Sequence, residues 1–94
     1  MDADIQYTLR NYARAAQERG VDTLALMRED YRATIGVMVD RGYGDAASLN
    51  AAAAEWAARA FGPCPPAGLE RAAWYTGGLG LVQGEYEYAD PNLD

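Results

Sequence analysis

Apolar residues recur along most of this chain at helical intervals. Between Asp2 and Arg19, the residues Ile5, Leu9, Tyr12 and Ala16 stand at i, i+4, i+7 and i+11, one face of a helix. Asp2 and Asp4 lie where the helix dipole favours negative charge, and Gly20 supplies a stop. A second stripe, made of Leu24, Met27, Tyr31, Ile35 and Met38, runs through "VDTLALMREDYRATIGVMVDRGYG" and leaves Arg28, Glu29 and Arg32 off it. Asp22 or Thr23 is placed to accept the free backbone N–H groups at its start. The β-branched residues of "TIGVMV" would also suit a strand, but the helical stripe passes through them unbroken. Gly36 in that stretch costs about 1 kcal/mol relative to alanine, and reads as a place where a neighbouring helix comes close.

Asp45 or Ser48 opens a third predicted helix, "AASLNAAAAEWAARAFG", striped by Leu49, Ala53, Trp56 and Ala60 and ended by Gly62. Its alanines, Ala51 to Ala54 above all, leave a smooth rod with few long side chains. "GPCPPAG" follows as a stiff connector, because its three prolines fix φ and remove three backbone donors. A short fourth helix is predicted from about Ala67 to Tyr75. Beyond it "TGGLGLVQG" is too rich in glycine for a comfortable helix, and reads as a loop or as the first arm of a hairpin with "EYEYA".

The pattern therefore predicts a mainly α fold, a small bundle of three to four helices, with a short β-hairpin or an extended tail at the C-terminus. A length of 94 residues makes this one domain, with 84–94 as a flexible tail. Half of the residues are hydrophobic, but alanine supplies much of that share. Thin layers around large anchors are expected: Leu9, Tyr12, Leu24, Met27, Tyr31, Ile35, Met38, Leu49, Trp56 and Phe61. Among these Trp56 is expected to matter most.

Charge and chemistry narrow the functional classes. Fourteen acids against eight bases give a net charge of −6, which disfavours direct nucleic-acid binding and favours a basic partner surface. Every base is arginine, and the chain has neither lysine nor histidine. With abundant Ala and Gly, this usage suggests a GC-rich coding sequence of bacterial or phage type. Without histidine the usual general base and the Ser-His-Asp and Cys-His pairings are missing, so no catalytic residue is assigned and a non-enzymatic role is expected. No lysine is present to complete a phosphate-binding P-loop, and the glycines of "GGLGLVQG" lack the strand and helix start of a dinucleotide fingerprint. No metal site and no cofactor are expected: one cysteine with carboxylates is a poor zinc set, and the acidic tail lacks calcium-loop spacing. Cys64 reads as a small residue in a proline-rich turn, in a reducing compartment. No apolar run is long enough to cross a bilayer and "MDADIQYTLR" does not look like a secretion signal, so a cytoplasmic location is expected.

Three surfaces are candidates for binding a partner. An extended "EYEY" would set Glu85 and Glu87 on one face and Tyr86 and Tyr88 on the other, with Asp90 beyond them. That arrangement suits strand addition or a basic groove; its alternatives are a solvated end or a strand paired with "GLGLV". Trp74 is a hot-spot residue if it faces outward and a core residue if it does not. Tyr7, Arg10 and Arg14 recur at i, i+3 and i+7 away from the first apolar stripe, as a contact face or a solvated one. The reading that follows is a monomer or small homo-oligomer that binds a larger protein with a basic surface, without membrane contact. It would act as an inhibitor or adaptor, such as a phage-encoded anti-defence protein (an anti-CRISPR, for example) or a nucleic-acid mimic. The alternative is a structural or assembly subunit of a phage or bacterial multimer, packed through the alanine-rich helix.

Overall fold

The computed structural model describes residues 3–89, and these form four helices: α1 Ala3–Arg19, α2 Thr23–Asp40, α3 Ala46–Phe61 and α4 Gly68–Ala89. The predicted punctuation operates as physical chemistry requires. Gly20 takes φ 67° and Gly62 φ 88°, left-handed conformations that end α1 and α3 where a side chain would be strained. The Asp22 carboxylate accepts the Ala25 N–H at 3.0 Å at the start of α2. Asp45 does the same for Ser48 at 2.7 Å at the start of α3, and this bond chiefly holds its carboxyl below the ordinary value.

α4 is the central element and packs against each of the other three, most extensively against α3. Tyr31, midway along α2, meets Tyr75 in the first half of α4 edge-on, while Tyr43 stacks on Tyr86 where both helices end, so these two helices run parallel. α3 runs against them: its end meets Trp74, whose indole N–H donates to the Gly62 carbonyl at 3.0 Å, and Leu49 at its start shares a cluster with Leu79 and Val82. The core has two parts. Ile5, Met27, Ala57, Ala73 and Trp74 form one, and Met38, Leu49, Ala53, Leu79 and Val82 the other, with Tyr75 packed against both.

Three expectations are corrected. The segment after Thr76 is neither loop nor hairpin nor extended: α4 continues through it to Ala89. Its glycines are what let it approach α3. A Cβ on Gly78 would overlap the Ala53 carbonyl oxygen and fall 2.8 Å from the Ala57 methyl. Gly78 of α4 and Ala53 and Ala57 of α3 are thus the two halves of one close contact, and tertiary packing overrides the low helix propensity of glycine. Gly36, by contrast, is exposed, and a Cβ there would meet nothing within 4 Å, so no helix approaches it.

The main aromatic anchor also differs from the expected one. Trp74 is buried at 3% exposure, whereas Trp56 is half-buried with the Arg59 guanidinium 5.8 Å from its ring centroid. Trp56 is therefore a flank of the core, and Trp74 is the anchor. No helix among the described residues is long and apolar enough to cross a membrane.

Candidate functional site

The parallel course of α2 and α4 brings their C-termini to one end of the bundle. Where both helices finish, Asp40 and Glu85 are exposed and Asp45 caps the start of α3. Glu87 pairs there with Arg41, an exposed ion pair of the kind that contributes little to stability. The rings of Tyr43 and Tyr86 stack at the same end, 5.1 Å apart, and Tyr86 keeps 39% of its surface exposed. Two helix C-termini add their partial negative charge to the same end, and the N-terminus of α3, capped by Asp45, offsets part of it. This is an acidic patch built around an ordered aromatic pair.

Near the starts of the two helices lies a cleft of about 290 Å³. Arg28 and Arg32 from α2 and Arg71 from α4 stand on it, with Tyr31, Tyr75 and Asn50. The Tyr31 hydroxyl donates to Asn50 Oδ1 at 2.6 Å, and the Arg71 guanidinium lies 5.8 Å from the Tyr75 ring centroid. No carboxylate among the described residues forms an ion pair with any of the three arginines, although Glu29 and Glu70 are their sequence neighbours. A smaller cleft of about 190 Å³ adjoins Tyr12, Asp30 and Gln83.

Burial pushes the Tyr31 hydroxyl up to about 12, with the neighbouring Tyr75 adding to the effect. Tyr12 is raised to about 12 as well, by burial and then by the charge of Asp30 and a hydrogen bond to it. An unfolded tyrosine ionises near 10.0, so above that pH the unfolded chain releases protons that the folded chain still holds. Stability is therefore expected to fall as pH rises from about 10 towards about 12. Denaturant midpoints measured across this window check it, and Tyr31→Phe should make the decline shallower.

The sequence-predicted site residues are scattered. Glu85, Tyr86 and Glu87 do come together, but on a helix and against Tyr43 and Arg41, so the alternating two-faced strand is absent. Of Tyr88 only the helical backbone is described, and Asp90 lies outside the described residues. Trp74 is buried and its N–H is satisfied within the chain, which removes it as an outward anchor. Tyr7, 62% exposed, and Arg10 and Arg14 occupy exposed positions on α1, with no ring contact or ion pair to another described residue. Ala53 and Ala57, on the helix that the assembly reading relied on, are spent inside the chain against α4. Cys64 is exposed rather than packed, its thiol 3.4 Å from the Pro65 carbonyl.

The arginine cleft was not singled out from sequence. Its one local signal is the Arg28–Arg32 spacing of i, i+4, which puts both on one helix face. Arg71 joins them only through the docking of α4. Among the described residues, no group of three or more His, Cys, Asp or Glu is placed to hold a metal ion. Compared with known families, curated proteins and solved structures, the chain matches none.

Proposed function

We propose that this protein is a stoichiometric binding module, not a catalyst, whose acidic end covers a basic surface on a larger protein. One observation carries the reading: an ordered, part-exposed tyrosine pair stands where two parallel helices end, the end that also carries the exposed Asp40 and Glu85. Carboxylates in such a patch attract a cationic surface and orient the encounter, while an aromatic anchor slows release. With Asp40, Glu85 and Tyr86 on helices and Tyr43 stacked on Tyr86, the patch loses little conformational freedom on binding. In its sharpest form the module is an inhibitor of a nucleic-acid-binding protein, its carboxylates taking positions that phosphates would otherwise fill. A phage-encoded anti-defence protein acting in the cytoplasm is one protein of that kind.

Binding kinetics test the reading. The full-length protein is immobilised, the most strongly retained basic protein from a bacterial lysate is identified, and its association and dissociation rates are measured against variants. Asp40→Asn with Glu85→Gln should slow association and flatten its dependence on salt, because exposed charges act through steering that salt screens. Tyr86→Ala should speed release at least about fivefold, the effect of a hot spot worth more than 1 kcal/mol. Tyr7→Ala on α1 serves as the control. Unchanged rates in both acidic-end variants, with helical content preserved, would refute the assignment.

A further inference from the structure

The geometry points to a second, separate binding site: the arginine cleft takes a small phosphate monoester carrying a planar ring. Arg28, Arg32 and Arg71 converge on it from two helices. Guanidinium groups match phosphate oxygens bidentately, and no described carboxylate occupies them. The cleft also reaches Gly68, the first residue of α4. The preceding residue, Ala67, has no side-chain acceptor, so the first-turn N–H groups lack the capping carboxylate that Asp22 and Asp45 give α2 and α3. Those N–H groups and the positive end of the helix dipole add to the arginines, and Glu70 in the same turn offsets part of that charge.

The rest of the lining specifies the body of the ligand. Tyr31 and Tyr75 present ring surface, and Met27 beneath them is fully buried. Asn50 accepts from Tyr31 through its oxygen, which leaves its amide N–H₂ to donate to a ring substituent. A volume of about 290 Å³ sits at the small end of the roughly 300–1,000 Å³ typical of ligand clefts, so one ring system with one phosphate suits it better than a dinucleotide. The net charge of −6 argues against a long polyanion, which would feel the whole molecule's repulsion, whereas a small dianion meets mainly the local arginines.

Calorimetric titration of the full chain with four probes decides the matter: adenosine 5′-monophosphate, adenosine, inorganic phosphate and a single-stranded oligonucleotide. The monophosphate is expected to bind at least about tenfold more tightly than adenosine or inorganic phosphate, since each of these lacks half of the recognised chemistry. Arg28→Gln and Arg71→Gln should each weaken it about tenfold; the unfolding midpoint should stay unchanged for Arg28→Gln, whose side chain is exposed, and should fall slightly for Arg71→Gln, which loses a hydrogen bond to the Pro66 carbonyl. Asp40→Asn with Glu85→Gln should leave it intact, which separates this site from the acidic end. No saturable binding at millimolar monophosphate, equal binding of adenosine or inorganic phosphate, or unaltered affinity in the arginine variants would overturn the proposal. So would tighter binding of the oligonucleotide with a steep salt dependence.

Discussion

Gly78→Ala is expected to lower the unfolding free energy by about 2–3 kcal/mol, although alanine is the better helix former by about 1 kcal/mol. The sign is set by the contact. The new methyl would overlap the Ala53 carbonyl oxygen and press on Ala57 at 2.8 Å. Neither neighbour can rotate away: one is helix backbone, and the other a methyl fixed to it. Relief requires α3 and α4 to separate, and that loosens Leu49, Leu79 and Val82, which are buried beside the contact. Gly36→Ala provides the opposite control. Position 36 is an exposed helix site with open space around it, so the substitution should stabilise by about 0.5–1 kcal/mol. Urea unfolding of the two variants checks both signs. Destabilisation of less than about 0.5 kcal/mol at Gly78, the scatter of surface substitutions, would mean that the α3–α4 contact is looser than described.

Trp74→Ala should be the most damaging single truncation, costing about 3–5 kcal/mol. The indole is 3% exposed, lies edge-on to Tyr75 at 5.0 Å and donates to the carbonyl of Gly62. Its removal leaves a cavity among Ile5, Met27 and Ala57 and strips a partner from the Gly62 carbonyl at the end of α3. Against a total of roughly 5–15 kcal/mol for a native domain, such a loss brings the chain close to unfolding. Trp56→Ala should cost less, about 1–2 kcal/mol, because that ring packs on the flank of the second cluster and keeps part of its surface in solvent beside Arg59. Denaturant unfolding followed by far-ultraviolet dichroism ranks the pair. A larger loss at Trp56 would reverse the assignment of the anchor.

Helix class and helix limits were legible before any tertiary information, because they depend on residues near in sequence. The stripes of the first two segments, the Asp22 and Asp45 caps and the stops at Gly20 and Gly62 are local, and each operates as local chemistry requires; the third stripe holds at Leu49 and Ala53 but continues through Ala57, while Ala60 is exposed. So is the charge imbalance that motivates a basic partner. The extent of α4 was not legible. Four glycines between 77 and 84 lower helix propensity when read alone, and two of them gain a packing role only once α3 docks: Gly77 against Phe61 and Gly78 against Ala53 and Ala57. The same docking decided which tryptophan is buried. A single helix carries no information on which of its sides its neighbours will cover, and both Trp56 and Trp74 fit an apolar stripe or its margin.

The two candidate surfaces divide in the same way. The acidic residues of the C-terminal segment could be seen in the sequence, but their helical setting against Tyr43 and Arg41 depends on α2 and α4 lying parallel. The arginine cleft depends on tertiary structure still more, since Arg71 is 39 positions from Arg32 along a chain of 94 residues. Periodicity and capping come from energies exchanged within a few residues, and the sequence by itself determined those. Close approach, burial and the convergence of like charges come from energies exchanged between helices, and only the packed structure could decide them.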